Sequence, residues 1–218
     1  MRGSAIKSVI ARQIMGRNYP MIGATVTTEN GAVGTAVCTA GISVGTHEVK
    51  FRYDGGPRWD GKGVMNAVNQ VNDVITPAIA GLDAADQFLI DGTMLHIGGD
   101  DPEKRLGGNA MAAVSAAVLK AGAQALDIPL YRHIGGADAV TLPVAAFGAV
   151  GGSNRYEPGK NAGAKPTYSF ISHGFSSFSE ASCALWEVVM NWQEYMKSTY
   201  GLNAFKSSAY ATTAGFVY

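Results

Sequence analysis

The sequence predicts an α+β fold followed by the first part of an α/β barrel. Three observations support this fold class. Strand-like runs occupy residues 5–14, 21–28 and 32–38. Helix-like segments then occupy residues 64–79, 84–96 and 109–126, and a nearly uninterrupted apolar run follows at residues 142–150. Strands grouped ahead of helices indicate an α+β arrangement rather than repeated βαβ units, and we place the boundary between two domains, 1–138 and 139–218, at a glycine-rich stretch.

The first three strands are expected to form an antiparallel meander. The turn signal at residues 29–31 (ENG) joins the second strand to the third as a hairpin. The third helix has small and apolar side chains along one stripe, and its alanines permit close packing on the sheet: Met111, Val114, Val118, Ala121 and Ala125. For the second helix, Asp83 is the predicted N-cap and Gly98-Gly99 the predicted end.

Beyond residue 138 the pattern changes. The run at 142–150 is typical of a strand that is buried on both faces, as in barrels. Residues 151–166 form a long polar loop, which in a compact domain is usually functional or disordered. A capping box at residues 177–180 (SFSE) begins a helix that is predicted to end before Gly201. Its apolar stripe is predicted to pack in the core: Phe178, Ala181, Leu185, Val188, Val189, Trp192 and Met196.

An eight-unit barrel needs roughly 200 residues by itself, and the chain has fewer than that after residue 138. We therefore expect that either a continuation of this chain or a second polypeptide completes the barrel. The apolar residues 216–218 are expected to start a further strand.

Composition excludes some classes of function and partner. Seventeen basic and seventeen acidic residues give no electrostatic case for binding nucleic acid or an anionic membrane. No run approaches the roughly 18 apolar residues that cross a bilayer, and the first residues lack an apolar signal core. The isolated Cys38 and Cys183 favour buried free thiols in a reducing compartment over a disulfide. We expect a cytoplasmic protein.

The loop at residues 39–48 is the strongest candidate for a functional site. Gly41 and Gly45 allow a tight backbone path, and Ser43 between them can offer a carbonyl and a hydroxyl oxygen to a hard cation. His47 and Glu48 add an imidazole and a carboxylate. An ordinary flexible loop, or a hydrogen-bonded pair that braces the strand ends, is the alternative interpretation.

Several motifs occur in a fixed order along the chain. They are residues 11–14 (ARQI), 61–64 (GKGV), 81–87 (GLDAADQ), 106–110 (LGGNA), 128–132 (IPLYR), 142–144 (LPV) and 176–181 (SSFSEA). In these motifs the chain resembles the enolase family, whose mobile metal-binding loop corresponds to residues 39–48. The resemblance implies a barrel as the second domain, Mg²⁺ as the cofactor, a small anionic substrate and a homodimer of complete units.

The resemblance also implies roles for single residues. Ser43 would be a ligand of Mg²⁺. Substrate would contact the glycine loop and the loop after the first barrel strand: Gly41, Ser43, His47, Asn154 and Arg155. The acid–base positions of the family fall on Asn154, Thr167 and Thr213. An amide or a hydroxyl cannot exchange a proton near pH 7 as a tuned carboxylate or imidazole does, so the catalytic residues are not identified.

Two functions follow from this resemblance. The first is a magnesium-dependent lyase that adds or removes water next to a carboxylate of a small phospho- or phosphono-hydroxy acid, acting with the rest of the barrel. The second is a noncatalytic enolase-like subunit with a scaffold or binding role, which would explain the replaced acid–base residues. Stabilisation by magnesium and a phospho-acid would distinguish the enzyme, because a ligand that binds only the folded state raises the melting temperature.

Overall fold

The computed structural model describes residues 3–16, 19–38, 49–151, 168–201 and 216–217. The chain divides into two compact units, Met1–Ala139 and Val140–Tyr218. Each unit has its own three-stranded sheet.

The sheet of the first unit is the predicted antiparallel meander. It consists of β1 (Ile6–Met15), β2 (Pro20–Thr28) and β3 (Val33–Cys38) in the order β1-β2-β3. Burial alternates along β2, so every second side chain faces the helices. The register places Ala24 opposite Ala11 on one side and Ala36 on the other. All three alanines are buried, which gives the sheet a smooth inner face.

Helices cover this inner face. They are α1 (Met65–Gln70), a π-helical turn (Val71–Ile75), α2 (Thr76–Ile79), α3 (Gln87–Gly98), α4 (Pro102–Arg105), α5 (Gly108–Ala125) and α6 (Leu130–Gly135). The predicted helix at residues 64–79 is present, but its middle turn is π-helical rather than α-helical. The prediction of a helix over these residues is confirmed, and the π geometry of its middle turn is a feature that the sequence pattern did not indicate.

Helix α5 lies directly on the sheet. Its residues Val114, Val118 and Ala121 are fully buried, as the predicted stripe requires. The backbone of α5 at Ala117 and Ala121 is so close to Gly34 of β3 that a Cβ atom on this glycine would collide with it. The alanines of α5 and the glycine of β3 together allow this close approach.

The start of α3 differs from the prediction. Asp86, not Asp83, is the N-cap, and its side chain accepts a hydrogen bond from the Leu89 N–H at 3.0 Å. The Asp83 carboxylate instead accepts from the Ala85 N–H at 3.0 Å, which forms a turn. The Ala84 N–H donates to the carbonyl of Ser4, just before β1. Because this hydrogen bond holds the backbone of Ala84 beside the start of the sheet, α3 begins only after it. Gly99, with a φ of 68°, ends α3 as predicted.

The second unit contains β4 (Ala146–Gly151), β5 (Tyr168–Ile171), α7 (Phe178–Tyr200) and β6 (Phe216–Val217). Strand β4 is central, antiparallel to β5 and parallel to β6. The strand starts later than the apolar run because Pro143 cannot donate a ladder hydrogen bond, and Leu142 and Val144 are exposed. The described residues do not show a barrel, and the barrel stays a prediction.

Helix α7 begins and ends as predicted, but fewer of its apolar side chains are buried than predicted. The Ser177 hydroxyl accepts from the Glu180 N–H at 3.2 Å, and Gly201 adopts a left-handed conformation at the end. The Glu180 carboxylate accepts from the Ser176 hydroxyl, so the reciprocal half of the predicted capping box is absent. Of the predicted apolar stripe, only Ala181 and Val189 are buried.

Cys38 and Cys183, both in the described part of the chain, are not joined by a disulfide. Cys38 is half-buried, and this burial raises the pKa of its thiol, whereas Cys183 is exposed. The prediction that both thiols are buried is therefore wrong for Cys183. Within the described ranges, no helix is both long and apolar enough to cross a membrane.

Candidate functional site

The candidate loop at residues 39–48 lies outside the described residues. The structure therefore does not place Gly41, Ser43, His47 or Glu48. It does describe both ends of the loop, because β3 ends at Cys38 and the described chain resumes at Val49.

The returning arm of the loop, residues 49–53, is fixed to the N-terminal end of α5. The Arg52 N–H donates to Asn109 Oδ1 at 2.9 Å, and Asn109 Nδ2 donates to the Arg52 carbonyl at 3.1 Å. The Gly108 N–H donates to the Lys50 carbonyl at 3.0 Å. The side chain of Asn109 is only 2% exposed. A buried amide with both its donor and its acceptor paired to one residue holds that residue in a single position.

The guanidinium of Arg52 has a structural role. Its Nη1 donates to the carbonyl of Lys104 at 3.0 Å and to that of Arg105 at 2.6 Å. These carbonyls lie at the end of α4 and lack partners within that helix. A cation at the C-terminal end of a helix also interacts favourably with the helix dipole. Arg52 therefore ties the arm to α4 as well as to α5.

Two glycines make room for the arm. Gly107 has a φ of 98°, and a Cβ atom there would lie 2.6 Å from Cβ of Arg52. A Cβ atom on Gly108 would lie 2.6 Å from Cγ2 of Val49. The block at residues 106–110 matches the family in sequence, but the resemblance alone implies no role for it. A polar asparagine directly after two glycines, at the start of a small apolar helix, was the available signal.

A second feature is the turn that follows the arm. A half-open pocket of about 210 Å³ lies beside this turn and is lined by Gln13, Asp54, Gly55, Pro57, Arg58, Trp59, Gly63 and Met65. The carboxylate of Asp54 accepts from the backbone N–H groups of Met65 at 2.9 Å and Asn66 at 2.7 Å. Both of its oxygens therefore hold the start of α1. Trp59 and Asp60 have left-handed backbones, with φ of 56° and 53°.

The charged side chain of Lys62 packs on the ring of Tyr19 beside this turn. The ammonium of Lys62 lies 3.9 Å from the centroid of the Tyr19 ring, and a hydrogen bond to Tyr19 is the main cause that raises the pKa of Lys62. In the part of the chain that the structure describes, no three His, Cys, Asp or Glu side chains are grouped so that they could hold a metal ion. The role of Ser43 as a ligand of Mg²⁺ stays a prediction.

The candidate residues of the second unit also lie outside the described residues. Asn154, Arg155 and Thr167 belong to the segment between β4 and β5, and Thr213 precedes β6. Their described neighbours meet at one point of the sheet: Val150 pairs with Tyr168 on one side and with Phe216 on the other. Residues that lie one to four positions from the three replaced acid–base residues are thus joined by direct strand pairing.

The amino-acid sequence is similar to that of known proteins. The sequence model for "Enolase, N-terminal domain" matches residues 6–134. A curated protein named "Enolase" from Methanopyrus kandleri is 40% identical over 200 residues, which cover 90% of this chain and 45% of that protein. The chain thus spans about half the length of this relative.

Proposed function

Because this chain belongs to the enolase family, we propose that it contributes to an enolase-type lyase. The reaction is the addition or removal of water next to a carboxylate of a small phospho- or phosphono-hydroxy acid. The chain acts together with the remainder of the barrel and within a dimer of complete units in the cytoplasm. The match to the family model over the first unit supports the class of the reaction.

The fixed arm at residues 49–53 carries this proposal. A loop that closes over a substrate needs a rigid base, since a catalytic group must be held near its productive geometry. The paired amide of Asn109 and the guanidinium of Arg52 provide such a base on the returning side of the loop. In this proposal Gly41, Ser43 and His47 belong to the part that contacts substrate.

The proposed substrate is a small acid whose anionic groups meet Asn154 and Arg155. Guanidinium groups bind carboxylates and phosphates through paired, charge-assisted hydrogen bonds. With Asn154, Thr167 and Thr213 at the acid–base positions of the family, the substrate need not be 2-phosphoglycerate. The proton transfers are then assigned to groups on the rest of the barrel.

Mg²⁺ enters the proposal through the family resemblance. When bound, it would stabilise negative charge that develops next to the carboxylate of the substrate. This chain would contribute Ser43 as one ligand, and magnesium binds through few protein oxygens. The remaining ligands would come from outside the described residues.

An absorbance assay for enol product, run with the complete assembly and magnesium on a panel of 2-hydroxy phospho- and phosphono-acids, tests the lyase. Turnover of at least one acid is expected, together with a large loss in the Ser43→Ala variant. Ser198→Ala, on the exposed side of α7, is the matched control and should keep full activity. No turnover across the panel, with no rise in melting temperature on adding magnesium and a phospho-acid, would refute the lyase and favour a noncatalytic subunit.

A further inference from the structure

Strand β4 contains a bulge at Ala149, two residues before its end. Gly148 pairs with Ser169 of β5 and Val150 pairs with Tyr168, so Ala149 has no residue opposite it in that strand. A bulge places one residue outside the regular pairing and bends the strand that carries it. Bulges are frequent beside active sites, where they redirect a side chain or end the pairing.

Helix α7 places an indole on this bulge. Nε1 of Trp192 donates to the Ala149 carbonyl at 3.3 Å. The side chain of Ala149 is only 3% exposed, so the bulged residue packs inside the second unit. Trp192 is half-buried, and an indole N–H that leaves water needs an acceptor. The Ala149 carbonyl meets this need.

The same ring also contacts β5. The ring centroids of Trp192 and Phe170 are 5.8 Å apart at an angle of 80°, which is an edge-to-face arrangement. Within α7, Trp192 also stacks on Tyr195, with centroids 5.9 Å apart. Trp192 therefore touches both antiparallel strands, β4 through a hydrogen bond and β5 through its ring, and these ring contacts hold the indole in place.

The peptide group that accepts this hydrogen bond is the one through which β4 joins both neighbouring strands. The Ala149 carbonyl and the Val150 N–H belong to one planar peptide unit, so a contact that fixes the first also fixes the direction of the second. Val150 pairs with Tyr168 of β5 and with Phe216 of β6. Trp192 thus orients the backbone at the point where three strands meet.

We propose that Trp192 is a positioning residue for substrate binding, because it holds the bulge at Ala149 and with it the direction in which the chain leaves β4. This inference rests on the proposed function, in which substrate contacts Asn154 and Arg155, the residues that follow this strand in the sequence. Displacement of a binding group weakens the binding of substrate and transition state alike. Loss of the indole N–H is therefore expected to raise KM more than it lowers kcat.

The test replaces Trp192 with phenylalanine in the complete assembly, which removes the N–H and keeps an aromatic ring. Hydrogen exchange of the Val150 amide should become roughly threefold to tenfold faster, as expected for one lost hydrogen bond. KM for an acid that the assembly turns over should rise roughly threefold to tenfold, with kcat within about twofold of the parent. Trp186→Phe makes the same change at an exposed tryptophan of α7. It is the matched control and should leave both measurements unchanged.

A loss of folded protein must be separated from a displaced peptide group. Val189→Ala removes volume from the buried side of α7, where Val189 is 5% exposed, and keeps the indole. It should lower the melting temperature without changing KM, because a smaller amount of folded enzyme reduces only the apparent kcat. An equal rise in KM in Val189→Ala and Trp192→Phe would overturn the proposal, as would Trp192→Phe with unchanged exchange at Val150 or an unchanged KM.

If Trp192→Phe does not fold, the parent protein decides. The indole N–H of Trp192 should exchange with solvent more slowly than that of Trp186, since only the first donates to a strand, and equal rates would overturn the proposal. Failure of the proposed function is read from the parent alone, as an absence of turnover. Turnover by the parent together with a normal KM in Trp192→Phe leaves the lyase intact and refutes the role of Trp192.

Discussion

Two asparagines use the same chemistry at two different depths. Asn72 pairs with both backbone groups of Ala11, and Asn109 pairs with both backbone groups of Arg52. Asn109 is buried and Asn72 is exposed. The hydrogen bonds that both amides make are partly buried, so loss of either amide is expected to lower stability.

Asn109→Leu should lower the free energy of unfolding by about 1–3 kcal/mol, because the N–H and carbonyl of Arg52 lose their partners. It should also speed tryptic cleavage after Lys50 and Arg52, since the arm is then released from α5. Denaturant unfolding and limited proteolysis measure the two effects. Asn69→Leu should stay within about 0.5 kcal/mol of the parent, and unchanged cleavage in Asn109→Leu would contradict the role of the amide.

Two glycines in helices should respond to alanine in opposite directions. Gly108→Ala places a Cβ atom 2.6 Å from Cγ2 of Val49, so we expect a loss of about 1–3 kcal/mol as the arm is displaced. Gly92 of α3 has open space around an added Cβ atom, and Gly92→Ala should gain about 0.5–1 kcal/mol from helix propensity. Thermal unfolding of both variants checks the sign. A stabilised Gly108→Ala would show that the arm does not need this contact.

At the scale of the elements, the sequence predicts most of the first unit and misses what long-range contacts decide. Alternation and the turn at residues 29–31 locate the three strands, and periodicity locates the long helices. Asp83 and Asp86 are equivalent capping residues by local pattern. The choice of Asp86 depends on the Ala84 contact with Ser4, about 80 residues earlier in the chain. The π-helical turn likewise depends on the distant strand edge, which no local pattern encodes.

The cap at Asp86 can be tested within this element. Asp86→Ala should cost about 1 kcal/mol of stability because the N–H of Leu89 loses its partner. Asp86→Ser should keep most of that stability, since a hydroxyl can accept the same bond. Denaturant midpoints of the two variants give the comparison, and equal losses in both would indicate that the carboxylate charge rather than the cap stabilises α3.

At the scale of the whole molecule, the candidate site is predicted only in part. The loop at 39–48 is recognisable from its glycines and from the family resemblance, yet its base depends on Asn109, far away in the sequence. The replaced positions Asn154, Thr167 and Thr213 occur in three separate segments, and only strand pairing at Val150 shows that their neighbours meet. Ser43 is the one metal ligand that the resemblance predicts, and it lies outside the described residues, which contain no group of three His, Cys, Asp or Glu side chains that could hold a metal ion.

The second unit leaves much apolar surface uncovered. Trp186 is 61% exposed and Tyr168 58% exposed, and α7 buries only Ala181 and Val189 within 23 residues. Large exposed apolar side chains of this kind, when they form a patch, mark a site of contact with other protein. The match to the enolase from Methanopyrus kandleri covers only 45% of that protein. Together with the exposed apolar side chains, this coverage supports the proposal that the active species contains more barrel than the described strands and helix provide.

Native mass spectrometry of the protein from its source, combined with the enol-product assay on the same fraction, tests whether the active species contains more barrel than this chain. Turnover is expected in a species larger than the 22.7 kDa chain. In that species a second polypeptide or a continuation of this chain completes the barrel, and the complete units form a dimer. A monodisperse 22.7 kDa monomer that unfolds cooperatively, or turnover by that monomer alone, would contradict this expectation.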